Sequence, residues 1–355
     1  MNTEIIKIDS ENIDRDLMKK AGELIAAGEL VAFPTETVYG LGGDALDPEA
    51  SKKIYAAKGR PSDNPLIVHI ADFSDMERVA RSIPHAAKKL ADKFWPGPLT
   101  MIVEKSDNVP DATTGGMDTV AVRMPNHPIA LSLIEQSGCL IAAPSANTSG
   151  RPSPTEAGHV AEDLSGKIAM IVDGGPVGIG IESTIIDLTE NPPMVLRPGY
   201  ITPQMLSEVL GVEVVIDPGI IAADDTRKPK APGMKYKHYA PKADMAIVDG
   251  EGHAVIREIN RRADRLRGAG KKVAVIATEE TRDHYNADVV LCIGKRTDED
   301  SIASHLYKIL RECDELEVDA IFSESFSTPR IGQAIMNRML KAAGHQVIHT
   351  VEEST

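Results

Sequence analysis

The regular patterning of the chain lapses once, between Asp217 and Lys242, and that lapse constrains the fold more than any other feature. Pro218, Pro229, Pro232 and Pro241 lie in it. Each proline fixes φ and removes a backbone donor, so no helix or central strand can run through the segment. Six cations (Arg227, Lys228, Lys230, Lys235, Lys237, Lys242) stand there against three acids (Asp217, Asp224, Asp225). Such a composition reads as a linker, and 355 residues suffice for two separate cores. The expected division is 1–216, 217–242 and 243–355.

Beyond the lapse, short apolar runs at 243–248, 272–277, 289–293, 320–323 and 347–350 alternate with helical stretches at 253–267, 301–315 and 331–343. This predicts a smaller Rossmann-like parallel α/β domain. It has no GxGxxG at a strand-to-helix turn, so no dinucleotide site is expected there. His345 and His349 lie near a strand, not on one helical face, and are not expected to bind metal.

Before the lapse, helices and strands mix without strict βαβ alternation, which predicts an α/β domain on a twisted mixed sheet. Helices are expected over 10–28, 48–57 (with Asp47 as cap and Pro48 at its first position), 86–94 and 128–137. Strands are expected over 30–33, 66–70, 99–103, 119–125, 140–143, 170–172, 185–188 and before Pro198. Thr35 to Gly43 is expected to be a loop, and so is the glycine-rich stretch from Gly174 to Gly180.

Composition narrows the function. A net charge of −14 repels nucleic acid, and 4% aromatic residues leave few rings on which to stack bases. An RNA-binding module is therefore the weaker alternative to an enzyme. No run approaches the roughly 18 apolar residues of a membrane span. Cys139, Cys292 and Cys313 form no CxxC pair, which suits a reducing, cytoplasmic setting.

The densest chemistry lies in Lys58-Gly59-Arg60-Pro61-Ser62-Asp63-Asn64-Pro65-Leu66. An arginine grips phosphate oxygens in a fork and a lysine adds a point charge, so Lys58 and Arg60 suggest a polyphosphate site; a solvated turn is the bland alternative. Pro144-Ser145-Ala146-Asn147, with Ser153, offers neutral donors after a strand. Arg123 and Arg197 each close an apolar strand, where a guanidinium must find a carboxylate, a carbonyl or a bound anion. Thr35, His69 and Ser183 could recognise an alcohol or an amino acid. The Walker signature, HExxH and GxSxG are absent, as are a Cys-His pair and a metal-holding carboxylate cluster. What fits is a reaction run by positioning and charge neutralisation, such as phosphoryl or nucleotidyl transfer.

Phe33-Pro34-Thr35-Glu36-Thr37-Val38-Tyr39-Gly40-Leu41-Gly42, Lys58-Gly59-Arg60-Pro61, Asn64-Pro65-Leu66, Trp95-Pro96-Gly97-Pro98-Leu99-Thr100, Pro144-Ser145-Ala146-Asn147 and Arg197-Pro198-Gly199 together resemble the YrdC family. The likeness covers roughly residues 10 to 210. With Ala231-Pro232-Gly233-Met234-Lys235-Tyr236-Lys237-His238-Tyr239-Ala240-Pro241 and the domain after it, the chain resembles the family's two-domain threonylcarbamoyl-AMP synthases. The resemblance implies synthesis of L-threonylcarbamoyladenylate from L-threonine, bicarbonate and ATP, with Mg²⁺ and release of pyrophosphate. It implies a place in the N6-threonylcarbamoyladenosine modification of tRNA, with downstream transferase proteins and only weak or indirect tRNA contact. Carried residue by residue, Lys58, Ser62, Thr119, Ser145, Asn147, Ser153, Arg197 and Tyr236 would hold ATP, with Lys58 and Arg60 catalytic. Thr35, His69, Arg123, Ala143 (by its backbone) and Ser183 would hold threonine. Carbamate and mixed anhydride both decompose in water, so the linker is expected to close over the site. A carbamoyltransferase of hydrogenase maturation shares the fold, but its acylphosphatase and zinc-finger segments are missing here.

Overall fold

The computed structural model describes residues 2–220, 231, 238–326 and 330–350. They fall into two compact units, Met1–Ser149 with Ser153–Tyr236, and Gly150–Pro152 with Lys237–Thr355.

The first unit begins with β1 (Glu4–Lys7), α1 (Arg15–Ala26), β2 (Val31–Phe33), β3 (Gly40–Asp44), α2 (Pro48–Lys58) and β4 (Ile67–His69). It continues through α3 (Met76–Val79), α4 (His85–Phe94), β5 (Leu99–Glu104), α5 (Asp111–Thr114), β6 (Thr119–Arg123), α6 (Pro128–Ser137) and β7 (Ile141–Ala142). It closes with α7 (Ala157–Leu164), β8 (Met170–Asp173), β9 (Thr184–Asp187), β10 (Met194–Arg197), α8 (Pro203–Leu210) and β11 (Val215–Ile216). The strands form one mixed sheet in the order β1-β8-β2-β3-β7-β4-β6-β5-β9-β10-β11.

Capping explains two helix starts. Asp14 accepts from the amides of Asp16 and Leu17 to open α1, and Asp47 accepts from Glu49 to open α2, with Pro48 at the first helical position. One expectation fails: the glycines after Val38 do not stay in a loop. Gly40–Asp44 is a strand, antiparallel to both β2 and β7. A Cβ at Gly42 would come within 2.8 Å of Ile141 and Phe33, so the glycine is what lets a strand pass between them.

The two faces of the sheet differ. One carries Val68, Val103, Val120, Val122, Met101, Ile186 and Val195, all buried in apolar clusters. On the other, strand alternation places Ile67 with His69, Thr119 with Ala121 and Arg123, and Thr100 with Ile102. Over β2, β7 and β8 this second face is covered by residues of α1 and α6, including Met18, Ile25, Ile129 and Leu133. Over β4, β5, β6, β9 and β10 it mixes polar side chains with a small apolar cluster of Ile67, Ile102, Ala121, Ile185, Leu196 and Ala231.

The second unit has β12 (Asp244–Asp249), α9 (Gly252–Gly268), β13 (Val273–Ala277), β14 (Val289–Cys292), α10 (Glu299–Glu315), β15 (Ala320–Glu324), α11 (Gly332–Ala342) and β16 (Val347–His349). Its strands are all parallel, in the order β14-β13-β15-β12-β16. Their apolar runs follow from helices packing on a parallel sheet.

Candidate functional site

Lys58 ends α2 and is buried, and its ammonium reaches the carbonyl oxygens of Ser145 and Asn147, both at 2.5 Å. The Ser145 hydroxyl donates to Asn147 Oδ1 at 2.6 Å, so the cation, the serine and the asparagine make one group. Gly59 takes the left-handed conformation that stops the helix. Arg60 then turns back onto its own loop, donating to the carbonyls of Asn64 and Pro65 at 3.3 and 3.0 Å. Lys58 and Arg60 thus hold different segments. Ser62 is exposed on this loop. The loop leans on the turn that leads to Thr119, for a Cβ on Gly115 would meet the Asp63 carbonyl oxygen at 2.9 Å.

Thr119 and Arg123 mark the two ends of β6 on one sheet face, about 13 Å apart at the usual rise per residue. At the Arg123 end, His69 pairs in register with Arg123 and lies edge-on to Phe33. Burial, and then the Arg123 cation, push the His69 imidazole down to about 3, so the ring is neutral at physiological pH. Ala143, just past β7, donates its amide to Ile67. Thr35 closes its turn by donating to the Val38 carbonyl at 2.7 Å while its oxygen meets the Thr37 hydroxyl at 2.9 Å.

Arg123 meets a carboxylate. Its Nη2 lies 2.7 Å from Glu36 Oε2, with the two side chains 5% and 12% exposed. The contact is close but misaligned for hydrogen bonding: Nη2 and both Glu36 oxygens make no hydrogen bond among the described residues, nor does the nearby His127 Nδ1. Burial also lowers the His127 pKa, against the pull of Glu36.

A third group joins the next strands. Arg197 donates to the Ser183 carbonyl and hydroxyl at 3.0 and 3.1 Å, and the Ser183 hydroxyl meets Thr100 at 2.7 Å. Ser153 donates to Glu182 at 2.6 Å. Sequence reasoning gave no part to Glu36, Glu182 or His127. The acids sit beside hydroxyl residues in loops that face strand-ending arginines, a pattern visible only once β6 and β10 are placed. Tyr236 lies outside the described residues, as do Lys235 and Lys237.

Among the described residues no group of three or more His, Cys, Asp or Glu side chains could hold a metal ion, and no helix is long and apolar enough to cross a membrane.

Fold and site together define a class: an α/β protein of the YrdC type, with an appended parallel-sheet domain, that gathers cations, hydroxyls and a buried acid on one sheet face. The family model described as "Telomere recombination" (Sua5_yciO_yrdC) matches residues 23–199, and the one described as "Threonylcarbamoyl-AMP synthase, C-terminal domain" matches 201–344. A threonylcarbamoyl-AMP synthase of Pyrococcus abyssi is 51% identical over 95% of this chain and 97% of its own length. One of Bacillus subtilis is 51% identical over 93% of each chain. The crystal structure of P. abyssi Sua5 complexed with L-threonine superposes with a TM-score of 0.93 at 49% identity, covering 98% of this chain and all of that one. The chain belongs to the Sua5/YciO/YrdC family.

Proposed function

We propose that this protein makes L-threonylcarbamoyladenylate from L-threonine, bicarbonate or CO₂, and ATP, releasing pyrophosphate. The observation that carries this reading is 51% identity, over nearly the whole length of both chains, with synthases of that activity. Two groups of side chains support it. The Lys58–Ser145–Asn147 group and the Thr119 end suit a nucleotide, and the Thr35–His69–Arg123 end suits an amino acid.

In this reading the threonine amine takes up CO₂ as a carbamate, and a carbamate oxygen attacks the α-phosphorus of ATP. Lys58 exchanges its carbonyl partners for phosphate oxygens, and Arg60 fixes the loop that carries Ser62. Arg197 presents Ser183 and, with Ser153, lines the nucleotide side. Arg123 takes the threonine carboxylate, with Thr35, neutral His69 and the Ala143 backbone around the rest of the amino acid. Mg²⁺ would arrive on the triphosphate. It would neutralise phosphate charge there.

Residues 1–216 carry the chemistry; the expected cover, 217–242, lies for the most part outside the described residues, which between 221 and 237 include Ala231 alone. Ala231 is fully buried in the apolar cluster of the site face. The product would feed the threonylcarbamoyl modification of tRNA through transferase proteins in the cytoplasm. The test is incubation with ATP, Mg²⁺, threonine and labelled bicarbonate. Pyrophosphate release that needs both threonine and bicarbonate is expected; ADP and phosphate would refute the reading.

A further inference from the structure

The Glu36–Arg123 pair has an unusual combination of properties. It is buried and its charges touch, yet both Glu36 oxygens and Arg123 Nη2 leave their hydrogen-bonding capacity unused. Buried polar groups rarely stay unsatisfied, because each carries a desolvation penalty that a partner would offset. A site that keeps such groups is built for something that completes them. The neighbours do not complete them: His69 Nδ1 lies 3.2 Å from the Ile67 carbonyl oxygen, and His127 Nδ1 makes no hydrogen bond among the described residues.

We infer that Glu36 is a specificity-determining residue that receives the α-ammonium of the amino acid whose carboxylate goes to Arg123. The inference rests on the reading of Arg123 as the carboxylate partner. A zwitterion carries one negative and one positive group a few ångströms apart, the mirror image of an Arg–Glu pair. Inserting it exchanges one ion pair for two and leaves the buried assembly neutral. Without Glu36, the ammonium would enter beside Arg123 with no counter-charge, which low-dielectric surroundings penalise heavily. The ammonium gives up two protons to solvent, one to become the attacking amine and one as its nitrogen bonds to CO₂; the carbamate nitrogen keeps one N–H, so the same oxygen remains its acceptor through the reaction. Glu36 therefore selects for a nitrogen at the α-position, whereas Arg123 selects only for the carboxylate.

The experiment measures binding to the full-length protein by calorimetry, with L-threonine and with 2,3-dihydroxybutanoate, in which a hydroxyl replaces the amine. The wild-type protein is expected to prefer threonine by about 10²-fold, the range for losing a charged hydrogen bond in a buried site. Glu36→Gln should lower threonine affinity by a similar factor, move the analogue's affinity by less than about threefold, and so erase most of the preference. Glu36→Asp should restore part of it. Equal affinity of the wild-type protein for the two ligands overturns the inference without any variant. So does a Glu36→Gln protein that binds threonine as well as, or better than, the wild type, because Glu36 would then only occupy Arg123. Arg123→Gln separates the two readings. If it leaves threonine affinity intact, the assignment of Arg123 fails; if it abolishes binding of both ligands while Glu36→Gln changes neither, only the role of Glu36 fails.

Discussion

Arg197 stands opposite Ile185, one position out of the register that Val195 and Ile186 set. An uninterrupted antiparallel ladder would pair Arg197 with Thr184, which belongs to the opposite face. The bulge between Val195 and Arg197 turns the guanidinium onto the face that carries Arg123 and Thr100, where it reaches both polar atoms of Ser183. Arg197 holds Ser183 by two bonds in a fork geometry that a lysine cannot copy. Arg197→Ala should lower kcat/KM for ATP by about 10²-fold, or about 2.7 kcal/mol of transition-state stabilisation, and Arg197→Lys should recover little of it. Steady-state kinetics with ATP varied at saturating threonine checks this. A lysine variant of full activity would show that charge alone matters.

Lys58 has a structural role as well as its proposed phosphate contact. Its ammonium satisfies two carbonyls in the free protein. Lys58→Met should therefore weaken ATP binding and also destabilise the fold by about 1–3 kcal/mol, because the carbonyls lose a charged donor. Thermal unfolding with and without ATP measures both. The wild-type protein should gain midpoint temperature from ATP, and the variant should start lower and gain little.

The core and the site were legible in the sequence to different depths. The Asp47-Pro48 start of α2 and the alternation of the second unit were readable because caps and apolar periods are local signals. The strands that carry His69 and Arg123 were likewise readable from their apolar runs, but not that the two side chains share a face, which depends on the pairing of β4 with β6. β3 was not readable, because only its neighbours in space decide that glycine, normally a loop signal, is needed for a close passage past Phe33 and Ile141. The bulge at Arg197 and the closeness of Glu36 to Arg123 were hidden for the same reason. Both depend on which strands lie side by side, and β5 inserts between β6 and β9 only in three dimensions.

Glycine at position 42 gives a sharp packing prediction. Gly42→Val would drive a branched side chain into Ile141 and Phe33, which already lie within 2.8 Å of where its Cβ would be. Overpacking of this kind costs about 1–3 kcal/mol or more. The variant should unfold at lower denaturant with an unchanged slope. Retained stability would mean that β3 and β7 can separate without loss.

His69 makes stability depend on pH. Its folded value of about 3 lies below the ordinary value of 6.5, so the unfolded chain binds the extra proton first as pH falls. The stabilisation from keeping the ring neutral is complete above about 6.5 and is lost progressively as pH drops toward 3. At its steepest, one such proton changes stability by about 1.4 kcal/mol per pH unit. His69→Gln should flatten the fall of the unfolding free energy between pH 6 and pH 4 by up to that slope. Parallel curves for the two proteins would place the acid sensitivity elsewhere, with His127 the next group to replace.

The linker prediction turns on Ala231, whose side chain is fully buried among Ile67, Ile102, Ala121, Ile185 and Leu196. A carboxylate cannot occupy that cluster without a partner, since burying an unpaired charge is strongly unfavourable. Ala231→Asp should therefore expel residue 231 from that cluster while leaving the loops of Lys58 and Arg123 in place. If the linker excludes water, the variant should still consume ATP but yield less threonylcarbamoyladenylate per pyrophosphate released, because carbamate and anhydride are lost to solvent. Deleting 232–241 should lower the same ratio further or abolish synthesis. The decisive measurement is product formed per ATP cleaved, at threonine and bicarbonate concentrations that saturate the wild-type protein. A ratio equal to the wild type in both variants would rule out the linker as a cover and leave Ala231 as packing alone.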